Sequence, residues 1–369
     1  MKTKKQDLKR VLIYIVITFA LTWAYCLLIV YPIANGESLS GIPAVATQLV
    51  VAAAMFFPAI GVFLTRLITK EGFKNAWLKP NLKKNIRFYL LAWFGPGLLT
   101  FAGMGIYFLL VPGSFDPDCG YMKAIMAAAG TPYEAQAVPM NLLLLIQTIQ
   151  ALFLAPILNF VTCFGEEWGW RGYLLPKMKN LLPTVPMLLV TGIIWGLWHA
   201  PLTIIGHNYG LGYWGFPFTG IAMMCIFCTV LGIFLSYITL KTDSCIPAIL
   251  AHGAINGIAA LGMYFTTDGG NPFVGPAPTG IIGIIPFVLV AVPMVMQLKK
   301  QEKGTAVEAV PFLVYKHISY ATPFSSPDCN TSESSQSSAS SRLGKKVSDS
   351  GVTWTFVTYA RSQKESIWR

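Results

Sequence analysis

Inside one long apolar segment lies the run Gly165-Glu166-Glu167-Trp168-Gly169-Trp170-Arg171, which brings two adjacent carboxylates and a guanidinium into hydrophobic sequence. Only 16 of the 369 residues are acidic, so two adjacent carboxylates inside an apolar segment are a distinctive feature of this sequence. Charge inside a membrane span is costly, and an ionisable residue there indicates a functional site by default. On a helix Arg171 lies one turn after Glu167 on the same face, which is the favourable order for an ion pair. Arg171 would therefore neutralise Glu167 and leave the carboxylate of Glu166 available for a functional role. The alternative interpretation is a structural ion pair whose long side chains extend to the membrane–water interface.

The composition is that of a polytopic membrane protein. Hydrophobic residues make up 54% of the chain and charged residues 12%, whereas soluble domains carry roughly 25% charged residues. The mean hydropathy is +0.57. The net charge of +11 comes from lysines and arginines that flank apolar segments, so it indicates a lipid bilayer as partner and no nucleic acid. Seven cysteines without framework spacing predict neither a disulfide scaffold nor a zinc ribbon.

The apolar segments predict an all-α polytopic membrane protein with about eight transmembrane helices and a polar catalytic cluster inside the bundle. The first apolar run lacks a clear cleavage site and is longer than a typical signal-peptide core, so we interpret it as an uncleaved span. The predicted spans are residues 11–30, 43–65, 88–111, 141–178, 185–206, 218–240, 246–265 and 279–298. The fourth would extend roughly 57 Å as one helix. We therefore expect it to tilt, break, or continue along the interface past Gly169 or Gly172.

The distribution of Lys and Arg predicts the orientation. Seven of these residues lie in the connection 66–87, whereas the connection 112–140 has only Lys123. The positive-inside rule then places both termini in the cytoplasm, and a prokaryotic source would make the membrane the plasma membrane. We predict a membrane domain over residues 1–298, with its core motifs in 145–260. Residues 299–369 form a predicted cytoplasmic tail, Ser-rich and disordered.

Three ionisable side chains lie at similar depths in three different predicted spans. Glu166, His199 and His252 lie roughly 17, 21 and 14 Å along their helices from the predicted cytoplasmic ends. His199 ends the aromatic-rich run Trp195-Gly196-Leu197-Trp198-His199, and Asn256 shares a helix face with His252. Polar groups in a membrane face the bundle interior, so these side chains are expected to converge. A purely structural polar cluster is the alternative.

Water attack on a carbonyl is the chemistry that best fits this set. A buried carboxylate near a histidine can take a proton from water, and a second histidine with an asparagine amide can donate hydrogen bonds to an oxyanion. No serine or cysteine has an evident base partner, so covalent acyl transfer is not indicated. The expectation is no cofactor. Glu166, His199 and His252 would also make a His₂Glu zinc set, although the HExxH motif is absent, so zinc is the alternative.

The ordered set Glu166-Glu167-x-x-x-Arg171, Trp198-His199 and His252-x-x-x-Asn256 resembles the CPBP family of intramembrane endopeptidases. This family is also called the Abi or type II CAAX prenyl protease family. The resemblance is strong over residues 145–260 and extends to the other spans only in architecture. It implies a helical membrane endopeptidase whose site lies within the bilayer and opens towards the cytoplasm.

The resemblance also implies roles for the candidate residues. Glu166 would activate the attacking water together with His199, while His252 and Asn256 would hold the oxyanion. The Glu167–Arg171 pair would support the site. The family has been described both as metalloproteases and as metal-independent glutamate proteases, and we favour the metal-free mechanism.

The implied partners are the bilayer and a peptide or membrane-protein substrate, prenylated or not, for CAAX-type or related processing. Two non-proteolytic functions are alternatives. A proton-coupled transporter would also carry buried Glu, His and Arg, but it should show repeats or paired broken helices, and none is evident. A regulatory partner protein without catalysis would not need all six polar residues.

Overall fold

The computed structural model describes the backbone of residues 2–34 and 44–315 and the side chains of residues 3–34 and 48–302. All regular structure in these ranges is helical, which confirms the predicted all-α class. One helical unit extends to Lys300, and a second unit begins at Gln301. The predicted Ser-rich tail lies outside the described residues from 316 onward. Its disorder and the domain boundary at residue 298 therefore stay predictions.

Fifteen α-helices follow one another in the described residues. They are α1 (Lys2–Tyr25), α2 (Tyr31–Ala34), α3 (Ala44–Ala53), α4 (Phe57–Ile68), α5 (Leu82–Leu110), α6 (Gly120–Ala128), α7 (Met140–Ile149), α8 (Ala155–Leu158), α9 (Phe160–Gly169), α10 (Leu175–Leu181), α11 (Thr184–Trp198), α12 (Ala200–Ile204), α13 (Phe218–Thr242), α14 (Ile246–Ile258) and α15 (Ile285–Tyr315). Wider π-helical turns occupy Cys26–Val30, Gln150–Leu154 and Trp170–Leu174. Short 3₁₀ turns occupy Ala54–Phe56, Pro112–Ser114, Tyr133–Ala135 and Leu261–Phe265.

Six helical stretches of the described chain are long and apolar enough to cross a membrane. They are Thr3–Ala34, Gln48–Ile68, Leu82–Leu110, Met140–Leu158, Phe218–Thr242 and Ile246–Phe265. A polytopic membrane protein is thereby confirmed, but the predicted count of eight is not. Predicted span five is represented by α11, which has only 15 residues, whereas a bilayer needs about 20. Predicted span eight begins at Ile285 rather than at residue 279.

The predicted fourth span, 141–178, is interrupted rather than straight. Pro156 has no N–H to donate to the carbonyl of Leu152 one turn earlier, and the indole of Trp93 donates to that oxygen instead, at 3.0 Å. A one-residue turn at Asn159 then separates α8 from α9. A π-helical turn follows Gly169 before α10 begins. The long segment thus breaks, as one of the three expected outcomes.

Helix α9 lies in the interior of the bundle, packed against α4 and α14. Gly165 makes this packing possible, because a Cβ at this position would collide with the backbone carbonyl of Met55. Gly196 serves the same purpose on α11, where a Cβ would meet the backbone of Cys225 on α13. Small residues at helix crossings let membrane helices approach closely, so these two positions set how near the polar segments lie to their neighbours.

We predict that Gly165→Ala lowers the melting temperature of the purified protein in detergent. The added methyl group must push α9 away from Met55, and overpacking costs about 1–3 kcal/mol. The matched control is Gly105→Ala on α5, where a Cβ would have no heavy atom within 4 Å. That control should keep or raise the melting temperature because alanine is the better helix former. Equal melting temperatures in the two variants would contradict the close approach.

An ionic cluster joins α1, α4 and α10 around Glu71, which follows the candidate span Gln48–Ile68. Its carboxylate accepts hydrogen bonds from Lys177 Nζ at 2.6 Å and Tyr173 Oη at 2.9 Å. Arg10 Nε and Arg66 Nη1 lie 3.4 and 3.9 Å from it. Burial alone would raise the pKa of Glu71, but the hydrogen bonds from Lys177 and Tyr173 and the charge of Arg66 outweigh burial and leave the pKa below its ordinary value.

The lowered pKa of Glu71 predicts a defined pH dependence of stability. Because the folded state favours the carboxylate, its contribution is complete above the unfolded pKa of about 4.3 and is lost as pH falls through the folded value. Wild type should therefore melt at a higher temperature than Glu71→Gln at pH 7. The difference should shrink as the pH is lowered through about 4. Thermal melts across pH measure it, and a difference that grows on acidification would oppose this account.

Candidate active site

The indole of Trp195, near the end of α11, lies at the centre of the predicted polar residues and is buried. Its Nε1 donates a hydrogen bond to Glu166 Oε2 at 2.7 Å. The guanidinium carbon of Arg171 lies 4.1 Å from the centroid of the indole ring. The rings of His199 and His252 pack against the same indole, with centroids 5.8 and 5.5 Å away. One side chain thus contacts four of the six predicted site residues.

Glu167 is the carboxylate that is neutralised by partners. Arg171 Nη1 donates to its Oε1 at 2.9 Å, so the ion pair predicted from the four-residue spacing is confirmed. The same oxygen lies 2.8 Å from Nδ1 of His252, which is 85 residues away in sequence. A carboxylate oxygen only accepts hydrogen bonds, so His252 donates from Nδ1. This contact leaves Nε2 as the only other polar atom of the His252 ring.

His199 is fixed by the backbone of its own helix. Its Nδ1 lies 2.9 Å from the carbonyl oxygen of Trp195, which can only accept, so Nδ1 carries a proton. The Trp198 ring packs against the imidazole at a centroid distance of 4.6 Å, and Trp198 Nε1 is itself bound to Thr22 Oγ1 at 2.8 Å. In neutral His199 the lone pair is then on Nε2. The imidazole therefore offers an acceptor in a fixed orientation.

Asn256 lies at the edge of this cluster. It follows His252 by one turn of α14, but its residue is exposed, whereas the other five predicted residues are buried. Its Nδ2 donates to Cys163 Sγ at 3.6 Å. Within the described side chains, no hydrogen bond joins Asn256 to the other five. The structure thus gathers five of the six predicted residues and leaves Asn256 adjacent to them.

The charged side chains of this cluster are buried, so each charge needs a compensating partner. Glu166, Glu167 and Arg171 are each at most 3% exposed. A buried charge is costly unless an opposite charge or hydrogen bonds compensate it. Glu167 has both Arg171 and His252 as partners, while Glu166 has a neutral indole N–H. Glu166 is therefore the less compensated of the two neighbouring carboxylates.

The described part of the chain contains no group of three His, Cys, Asp or Glu side chains placed to hold a metal ion. Nδ1 of each histidine and one oxygen of Glu166 already have protein partners. The geometry gives no support to the predicted zinc alternative of Glu166, His199 and His252. No catalytic step is therefore assigned to zinc.

Sequence reasoning missed Trp195. The residue lies in the aromatic-rich run before His199, and its spacing of four residues from that histidine places both on one helix face. A tryptophan in a membrane helix most often packs without a polar role, so no role was predicted. The signal was the coincidence of this spacing with a carboxylate on another helix at similar depth.

Comparison with known proteins points to one family. Residues 148–258 match the family model described as type II CAAX prenyl endopeptidase Rce1-like, and this range contains all six predicted site residues. The chain is also 25% identical over 203 residues to CAAX prenyl protease 2 of Methanococcus maripaludis. That alignment covers 53% of this chain and 66% of the relative, just under two thirds. The predicted resemblance to the CPBP family is thereby confirmed.

We predict that the Trp195–Glu166 hydrogen bond appears as an energetic coupling. Trp195→Phe keeps the aromatic ring but leaves a buried carboxylate without its donor, which costs about 1–3 kcal/mol. In a double-mutant cycle of unfolding free energy with Glu166→Leu, which removes the acceptor, the coupling should be about 0.5–3 kcal/mol. Trp168→Phe, which removes an indole N–H bound to the carbonyl of Ala76, is the control and should be additive with Glu166→Leu. Additivity in both cycles would refute the coupling.

Proposed function

We propose that this chain, a member of the CPBP family of intramembrane endopeptidases, hydrolyses peptide bonds within the membrane with water activated by Glu166. The observation that carries this proposal is that two neighbouring buried carboxylates have different binding partners. Glu167 is bound by Arg171 and His252, whereas Glu166 is held at one oxygen by the Trp195 indole. The other oxygen of Glu166 is left to take a proton from water.

His199 supports the same step. With its Nδ1 proton directed at the Trp195 carbonyl, Nε2 can accept a hydrogen bond from the attacking water. Orientation of water by one acceptor and proton removal by another is ordinary general-base catalysis, and a positioned base contributes typically 10²–10⁴-fold in rate. Glu166 is bound to the indole of Trp195 and His199 to its backbone carbonyl, so one residue sets their relative placement.

The oxyanion would be stabilised by His252 and Asn256. Because His252 already donates from Nδ1 to Glu167, it can donate to an oxyanion from Nε2 only as the imidazolium. The Glu167 carboxylate favours that charged form. Asn256 lies one helical turn away and contributes an amide N–H₂. A direct oxyanion donor is worth on the order of 10²–10³ in kcat.

The proposed reaction is balanced without a cofactor. Water attacks the carbonyl carbon as Glu166 removes a proton, so a C–O bond forms and the carbonyl electron pair moves to oxygen. The C–N bond then breaks when the oxyanion collapses, and protonated Glu166 delivers the proton to the leaving amine. The carboxylic acid formed on collapse gives its proton, the second one from water, to the amine, so the products are a new C-terminal carboxylate and a new N-terminal ammonium group, and Glu166 returns to its starting state.

We propose peptides or membrane proteins as substrates, reached from the predicted cytoplasmic face. The name of the relative from Methanococcus maripaludis, CAAX prenyl protease 2, makes a prenylated peptide with a C-terminal CAAX sequence the first substrate to test. A transporter or a regulatory protein without proteolysis is the competing function. Absence of cleavage of both prenylated and unprenylated peptides by folded, purified protein would favour it.

The two carboxylates predict different phenotypes. Glu166→Gln keeps the hydrogen bond acceptor for Trp195 but cannot take a proton, so cleavage should fall by at least about 10²-fold while the melting temperature stays near that of wild type. Glu167→Gln leaves the guanidinium of Arg171 buried without a counter-charge, which costs about 3–5 kcal/mol. That variant should lose stability as well as activity. Peptide cleavage per folded molecule and thermal melts measure both effects.

Two outcomes would change the proposal. Near-normal cleavage by Glu166→Gln would remove Glu166 as the base. A one-to-one zinc content lost in His199→Ala, with cleavage that a chelator abolishes and zinc restores, would establish the zinc-dependent alternative. With water activated by Glu166 and His199 alone, cleavage should persist after chelation.

A further inference from the structure

A cavity of about 410 Å³ lies between α5, α13 and α15, away from the Trp195 cluster. Its walls are mostly apolar and include Phe88 and Leu91 on α5 and Val290 and Met294 on α15. Phe88 packs edge-on against Tyr237 of α13, with ring centroids 6.1 Å apart, so the wall is continuous between helices. An apolar cavity between membrane helices can accommodate the hydrocarbon chain of a lipid.

The polar residues of the cavity are gathered at one end. Arg87 and Gln297 line it and are exposed, and Tyr237 Oη donates to Gln297 Oε1 at 2.7 Å. Lys241 lies beside this end, with its Nζ 5.3 Å from the centroid of the Tyr237 ring, and Tyr237 lines the cavity together with Arg87. In the described residues neither Arg87 nor Lys241 forms an ion pair with a carboxylate.

More positive charge surrounds this end of the cavity. The start of α5, the end of α13 and the part of α15 near Gln297 all carry basic residues, and all three belong to the same helical unit. The basic residues at these three places are Lys83, Lys84, Arg87, Lys241, Lys299 and Lys300. Two positive charges beside one end of a cavity, with no ion pair to a carboxylate among the described residues, favour an anion at that end. Basic pockets between helices at the cytoplasmic face suit anionic lipid headgroups.

We propose that this cavity binds an anionic phospholipid, with the phosphate between Arg87 and Lys241 and an acyl chain along the apolar wall. The two halves of the cavity match the two halves of one lipid. A neutral isoprenoid chain would fill the apolar wall but would not use the basic end. A free phosphate would use the basic end but not the wall. The proposal does not depend on the proposed proteolysis.

The test uses the full chain purified in a neutral detergent. Binding of phosphatidylglycerol and of phosphatidylcholine with the same acyl chains is measured by native mass spectrometry and titration. We expect wild type to prefer phosphatidylglycerol. Arg87→Gln combined with Lys241→Gln should weaken its binding about 25-fold, since each basic side chain near an anionic headgroup contributes roughly a factor of five. The matched control, Lys74→Gln with Lys79→Gln, removes the same charge from exposed loop positions and should leave affinity unchanged.

Two further variants test the contribution of charge and the contribution of the apolar wall separately. Arg87→Lys combined with Lys241→Arg preserves charge and should keep phosphatidylglycerol affinity. Val290→Phe should fill part of the cavity and weaken binding at constant charge. Melting temperatures check that each variant is folded.

Several results would overturn the assignment. Equal binding of the two lipids would mean that the headgroup charge is not recognised, and equal loss in the lining and control charge variants would mean diffuse electrostatics. Displacement of phosphatidylglycerol by millimolar inorganic phosphate would mean an anion site without a chain. Displacement by a neutral prenylated peptide, or unchanged affinity in Val290→Phe, would mean that the apolar wall serves another ligand or none.

Discussion

The structure depends on how two adjacent carboxylates are accommodated inside a helical membrane bundle. Burial of Glu167 is balanced by Arg171 on the next turn and by His252 from α14, so a triad of charges and hydrogen bonds fixes two helices to each other. Glu166 is held instead by the indole of Trp195 on α11. The same arrangement that keeps the bundle together therefore leaves one carboxylate with weaker compensation, and this difference supports the proposed role of Glu166 as general base.

The fold serves this arrangement by allowing close approach and by bending one segment. Glycine at position 165 lets α9 reach the backbone at Met55, and glycine at position 196 lets α11 lie against α13. The π-helical turn Trp170–Leu174 contains Arg171, whose guanidinium reaches both Glu167 and the Trp195 ring. Wide turns inside helices occur frequently at functional sites. The interruption of the fourth segment and the site thus have a common location.

Helix periodicity and hydropathy were sufficient to predict the all-α membrane class and the Glu167–Arg171 pair, since both depend on local spacing. The contact of His252 with Glu167 could not be predicted, because it joins residues 85 positions apart through packing. The hydrogen bond from Trp195 and the exposure of Asn256 likewise depend on how helices rotate against one another. The predicted number of spans differs from the number in the structure because Pro residues and interrupted turns end helices before the apolar sequence ends.

The central claim, that water held by Glu166 attacks the peptide carbonyl directly, is tested by the fate of solvent oxygen in one turnover. Cleavage of a peptide in heavy-oxygen water, with and without added hydroxylamine, distinguishes direct attack from an acyl-enzyme. Direct attack predicts one heavy oxygen in the new C-terminal carboxylate, unmodified protein by mass and no hydroxamate product. A hydroxamate product, or a peptide adduct on Glu166, would contradict the account.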